Sequence, residues 1–219
     1  MELIFEESGF IVKRIMAPEE VQAAMELRHQ VFREELRWVP VSPDGSDRDG
    51  YDDFAEGIGV FTGRGELIGH VRLIPAPWPY MIEKDFACLL PEGGEFRKTL
   101  EMAESTRICV RKDMRKAMVG GMSLAHLLYK AIYNWCLINE RRHLVTIIEE
   151  RYYIYLKRYF PFVPLAPFKP LGEGVMSGIV VLDWREFEQR AGSRRPEFLG
   201  WMSNPVVHAP SLLQPHALY

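Results

Sequence analysis

The longest apolar stretch of this 219-residue chain, Met118 to Ile138, limits its possible folds most sharply. His126, Lys130 and Asn134 interrupt it, so it reads as a core helix and not as a membrane span. We expect that helix over Val119 to Asn139, with the elements around it supplying a sheet for it to pack on. Hydrophobic residues make up 47% of the chain and charged residues 26%, as in an ordinary globular protein. At this length one domain is expected over residues 1–192, followed by an irregular, proline-marked tail over 193–219.

The segments on either side fix the rest of the order. Phe10 to Ile15 alternates as a strand, and Pro18-Glu19-Glu20 opens a helix that carries Val21, Met25, Leu27, Val31 and Phe32 towards Trp38. Residues 41–53 (VSPDGSDRDGYDD) form an acidic, turn-rich loop. Gly59 to Pro75 reads as a hairpin turning at Gly63–Gly65. Leu100 to Val110 is a strand, Leu144 to Glu149 another, Arg151 to Arg158 a helix and Gly178 to Asp183 a late strand. This α+β order, with a mostly antiparallel central sheet, is that of acetyltransferase-like folds. Fold alone gives no function.

Charge and cysteine usage exclude several function classes. A formal net charge of −3 gives no support to nucleic-acid binding, where a basic surplus is expected. Cys88, Cys109 and Cys136 are odd in number and show no CxxC spacing or Cys/His cluster, so we expect buried free thiols and no metal. The N-terminus lacks a signal-peptide pattern, and the expected location is the cytoplasm, away from membranes.

The residues with chemical potential fall in an ordered series. Glu104 and Arg107 lie three apart on one strand, hence on opposite faces unless a bulge re-aims one. They fit a surface ion pair, or a base able to take a proton from an attacking amine. An α-amine titrates at roughly 7.7–8.0, so a weak base suffices. Asp49 and Asp52 suit a solvated acidic loop, or, with Phe32 and Trp38, a site for a cation. An EF-hand is discounted, since the alternating acids and terminal Glu are missing. Arg28 can clamp a carboxylate, and Arg72 either faces solvent or orients the acids. Val119-Gly120-Gly121 is either a simple helix-start loop or an anion-binding one, with Arg111, Lys112, Arg115 and Lys116 beside it. No histidine is assigned to catalysis.

Taken together, Arg28, Phe32, Trp38, Asp49, Asp52, Arg72, Glu104 and Arg107, with the phrases RLIP-x-x-x-P-Y and E-S-x-R-x-x-V, resemble the acyl-homoserine-lactone synthase family, the autoinducer synthases. The resemblance runs from the first helix to about residue 183 and implies a GNAT-like three-layer α/β/α sandwich. It implies acyl transfer from acyl carrier protein or acyl-CoA to the α-amine of S-adenosylmethionine, then lactonisation with loss of methylthioadenosine. S-adenosylmethionine is a substrate there, and no cofactor is implied. On this view Arg28, Phe32, Trp38, Asp49, Asp52 and Arg72 build the S-adenosylmethionine pocket. Glu104 assists deprotonation, and Arg107 ties its strand to the pocket or the pantetheine arm.

Departures from the family are local. Asp47 stands where Glu is usual, and Glu149-Glu150-Arg151-Tyr152-Tyr153-Ile154-Tyr155 is unusually aromatic. Thr146 falls near a position linked with 3-oxo acyl chains. It, Tyr129, Trp135, Tyr152 and Tyr155 are candidates for the acyl-chain pocket, with core filling the plainer reading. Two alternatives stay open: a related N-acyltransferase with another amine acceptor, as in exosortase systems, and a non-catalytic sensor that kept the pocket.

Overall fold

The computed structural model describes residues 4–91, 96–172 and 174–204. The chain opens with a hairpin, β1 (Ile4–Glu7) and β2 (Phe10–Arg14), followed by α1 (Pro18–Arg28) and a π-helical segment, His29–Glu35. The next hairpin, β3 (Glu56–Thr62) and β4 (Leu67–Pro75), turns where expected, with Gly65 at φ 83° in the left-handed region open to glycine. A short helix α2 (Met81–Lys84) precedes β5 (Met102–Val110). Then come a small hairpin, β6 (Met118–Val119) and β7 (Met122–Ser123), and α3 (Leu124–Ile138). β8 (His143–Glu149), α4 (Glu150–Leu156), β9 (Val163–Pro164), β10 (Lys169–Leu171) and β11 (Val175–Asp183) follow, and α5 (Trp184–Arg194) and α6 (Pro196–Ser203) end the described chain.

The main sheet runs in the order β1-β2-β3-β4-β5-β8-β11-β10, with β9 pairing β11. Every pairing is antiparallel except β5 with β8. Alternation along β3 and β4 divides the apolar residues between two faces. Val60, Val71 and Leu73 pack with Leu127, Leu128 and Ile132 of α3 on one face. Phe61 and Leu67 join Ala24, Leu27 and Val31 from α1 and the π segment on the other. Helices on both faces of a mostly antiparallel sheet are the three-layer arrangement expected. No described helix is long and apolar enough to cross a membrane.

Three expectations need correction. The long helix begins at Leu124, five residues later than expected, because Gly120 and Gly121 take φ values of 56° and 81° and turn β6 into β7. The glycines therefore make a hairpin turn and do not form a helix-start anion loop. Residues 193–194 close α5 and 196–203 form α6: Pro196 sits in the first turn of α6, Met202 is buried, and its carbonyl accepts from Asn134 Nδ2 of α3 at 2.8 Å. The remainder of the expected irregular tail, 205–219, lies outside the described residues. Cys109 and Cys136 are buried free thiols as expected, but Cys88 is exposed.

Gly59 has a packing reason. A Cβ there would stand 2.6 Å from the Phe61 ring and 2.7 Å from Leu67, both buried. Gly59→Ala is expected to cost about 1–3 kcal/mol, as overpacking does, read as a lower urea midpoint at unchanged slope.

Candidate functional site

The site is built where β5 leaves β8. The two strands pair only from Met102↔His143 to Ser105↔Thr146, then separate, although both continue. Thr146 Oγ1 donates to the Ser105 carbonyl at 2.8 Å at the point of the fork. On its other edge β5 meets β4 with a register shift: His70 faces Cys109 and Arg72 faces Thr106, so Arg107 and Ile108 together oppose Val71. Arg107 sits at φ 54°, a strained value for a non-glycine residue. His70 is buried with its pKa lowered to about 3, chiefly by desolvation, so the ring is neutral and its Nδ1–H donates to the Arg107 carbonyl at 3.2 Å. This is the bulge that the Glu104/Arg107 spacing required, and it turns Arg107 towards the acidic loop.

Around that bulge four guanidiniums meet three carboxylates. Asp47, fully buried, accepts from Arg28 Nε (3.0 Å), Arg33 Nε (2.8 Å) and Arg107 Nε (2.7 Å). Asp52 takes Arg28 Nη1 and Nη2 at 2.7 and 3.2 Å, and Arg72 Nη1 at 2.9 Å. Asp49 receives Arg72 Nη1 at 2.5 Å and Arg107 Nη2 at 3.2 Å. Burial by itself would raise the pKa of Asp47 and Asp52, but the surrounding guanidiniums more than offset it, and Asp52 is lowered to about 2 with Asp47 lower still. The stability these carboxylates contribute is complete above their ordinary value of 3.8 and is lost as pH falls through about 2. We expect acid titration monitored by near-ultraviolet circular dichroism to show the site persisting at pH 4 and collapsing only well below.

Glu104 is of a different kind. It has no exposed surface, and its oxygens accept from the backbone amides of Met81 (2.7 Å) and Ile82 (3.1 Å). Desolvation outweighs those amides and nearby Arg72, raising its pKa to about 7. A carboxyl poised there can exchange a proton near neutral pH.

Beside this framework lies a cleft of about 440 Å³. Phe32, Arg37 and Trp38 line it from the π segment and the turn after it, Met81 and Phe86 from the segment around α2, and Thr106 and Arg107 from β5. Ile147, Ile148 and Glu149 line it from β8, and Val175 and Ser177 from β11. Trp38 is about half exposed and tilts against Phe32 with ring centroids 5.9 Å apart, while the Arg107 guanidinium lies over Phe32 at 5.4 Å.

The structure brings the eight-residue series into one place but divides it. Phe32, Trp38 and Arg107 line the cleft; Arg28, Asp49, Asp52, Arg72 and Glu104 stand behind it. Arg28 is spent on Asp47 and Asp52, so it braces the loop and is not a free carboxylate clamp. Arg72 is buried and orients the acids, and does not face solvent. None of the acyl-pocket candidates lines this cleft. Trp135 is buried with Nε1 donating to Glu56 at 3.0 Å, Tyr129 packs on Phe160 at 4.9 Å, and Tyr152 stacks on Tyr155 at 6.0 Å. Thr146 is used at the fork. Within the basic cluster, Arg111 pairs with Asp113 and Glu66, and Arg115 with Glu35. Asp47, Arg33 and His70 were not assigned from sequence. Asp47 stands out in the sequence as one acid of the loop and as a departure from the family pattern, and the other two carry no local signal.

Comparison with known proteins fits this geometry. An acyl-homoserine-lactone synthase of Rhizobium radiobacter is 30% identical over 168 residues, covering 74% of this chain and 79% of that protein. The crystal structure of the acyl-homoserine-lactone (AHL) synthase LasI superposes with a TM-score of 0.69 at 21% identity, covering 80% of this chain and 89% of the other. BjaI, described as a CoA-dependent acyl-homoserine lactone synthase and determined with MTA, gives 0.66 at 23%, covering 85% and 92%. The autoinducer synthase profile matches residues 13–169, most of the chain and every residue of the ion network and its bulge, and the chain belongs to the autoinducer synthase family.

Proposed function

We propose that this chain makes an N-acyl-L-homoserine lactone from S-adenosylmethionine and an acyl thioester. The observation that carries the reading is the pairing of a buried carboxyl raised to about 7, Glu104, with an aromatic-walled cleft lined by its strand neighbours Ser105 and Thr106 and by Met81, whose amide it accepts from. The acceptor is a sulfonium cation, which the Phe32 and Trp38 faces attract. Its α-amine attacks the thioester carbonyl, the C–S bond breaks, and the thiol leaves as the amide forms. The amine's proton is taken by Glu104. Because Thr106 and Met81 line the cleft and Glu104 does not, one bridging water across that wall is the route we assign. The carboxylate of the acylated intermediate then attacks its own γ-carbon, closing the lactone and expelling methylthioadenosine as a neutral thioether.

The bulge at Arg107 serves this scheme by bridging the acidic loop to the cleft wall. The Arg/Asp network spends its charge internally, so its role is to hold that wall rigid. Members of the family use acyl carrier protein or acyl-CoA, and BjaI, a fold relative, is CoA-dependent. Lys112 and Lys116, exposed beside the paired Arg111 and Arg115, suit an acidic carrier or the phosphates of coenzyme A. Incubation with S-adenosylmethionine and panels of acyl-CoA and acyl-carrier-protein thioesters is expected to release methylthioadenosine with at least one donor. No release with any of them would sink the proposal.

A further inference from the structure

Among the described residues the cleft is lined by one carboxylate, and it is none of the acids in the ion network. Asp47, Asp49 and Asp52 have their oxygens on guanidiniums, and those of Glu104 accept from backbone amides. None of these four lines the cleft. Glu149 does. It ends β8, opposite Ser177 of β11 in the antiparallel register, and Ser177 lines the cleft as well. By strand alternation Glu149 shares a face with Val145, which is the β8 partner of Glu104, and with Ile147. The splay of β5 from β8 beyond Thr146 is what opens the space in front of it. Among the described residues its carboxylate enters no ion pair or side-chain hydrogen bond; of the other charges lining the cleft, Arg107 of β5 is paired with Asp47 and Asp49, and Arg37 follows the π segment.

We infer that Glu149 is the carboxylate that reads the positive charge of the amine acceptor, which rests on the proposed function. S-adenosylmethionine carries a sulfonium and an α-ammonium, and a half-buried, unpaired acid that shares a cleft with two aromatic rings is suited to such a cation. Arg37, which lines the cleft and enters no ion pair among the described residues, supplies the opposite sign for its carboxylate. The acidic loop, which looks from sequence like the cation site, becomes scaffold, and the cation site moves to the end of β8.

Calorimetric titration of the full chain with S-adenosylmethionine and with methylthioadenosine, which lacks both cationic centres, tests this assignment. Glu149→Gln is expected to weaken S-adenosylmethionine roughly five- to tenfold, as loss of one charge-assisted contact does, and to leave methylthioadenosine unchanged. Its KM for S-adenosylmethionine should rise with kcat unaltered, and Glu149→Asp should recover part of the loss. Equal weakening of both ligands means that the side chain only shapes the cleft, and unaltered S-adenosylmethionine affinity removes it from the site; either overturns the inference. A wild-type chain that binds neither ligand overturns the acceptor reading itself, and this inference with it.

Discussion

Glu104→Gln is expected to cut turnover by roughly 10²–10⁴-fold, the range for loss of a general base, with S-adenosylmethionine affinity retained. The glutamine keeps the volume of the side chain in a site with no exposed surface, but presents one N–H₂ where an acceptor faced the amide of Met81 or Ile82. A local cost of about 1–3 kcal/mol is the penalty for such a mismatch, so the variant should still fold. Two pH signatures separate the catalytic role from a structural one. Wild-type kcat should rise with pH and level off above about 7, where Glu104 is ionised, and the variant should lack that limb. Stability should move oppositely. A carboxyl raised from 4.5 to about 7 favours the folded state while protonated, so wild-type stability relative to the variant falls as pH rises through that window. Thermal melts at several pH values check the second signature, and a rate profile checks the first.

The largest loss of stability is expected from Asp47→Ala. The side chain is wholly buried and is the shared acceptor of Arg28, Arg33 and Arg107. Removing it strands guanidinium donors in the interior, and breaking a buried ion pair by removing one partner costs about 3–5 kcal/mol. For a chain of this size that lowers Tm on the order of 10 °C. Asp47→Glu keeps the charge and should be much milder. Activity should fall with the alanine variant even below its Tm, because Arg107 and, through it, the Phe32 wall lose their anchor. Differential scanning calorimetry with a parallel turnover assay separates the two effects.

What was legible in the sequence was what local pattern encodes. The β3–β4 hairpin announced itself through alternation and the Gly63–Gly65 turn. α3 declared itself through an apolar run too polar for lipid. Its start was misplaced because glycines at 120 and 121 look alike whether they open a helix or, at positive φ, close a two-residue hairpin. At the site, the Glu104/Arg107 spacing held real information, since alternation alone demanded a bulge if both were to serve one place. That Arg28 is consumed was not legible: its acceptors lie 19 and 24 residues away, and only the tertiary fold brings them within hydrogen-bond reach. The same holds for His70, whose partner is a carbonyl 37 residues on. Glu149 stands in an unusually aromatic stretch, but its access to a cleft depends on where β5 and β8 part.

In the proposed reaction the chain joins an acyl group to the amine of S-adenosylmethionine and closes the lactone, with Glu104 as base. Mass spectrometry of culture extracts from a lactone-free host expressing either the wild-type chain or Glu104→Gln tests it most directly. N-acyl-homoserine lactone is expected from the wild type and at most a trace from a variant expressed at equal level. Equal lactone from both would contradict the role of Glu104, and none from either would contradict the reaction.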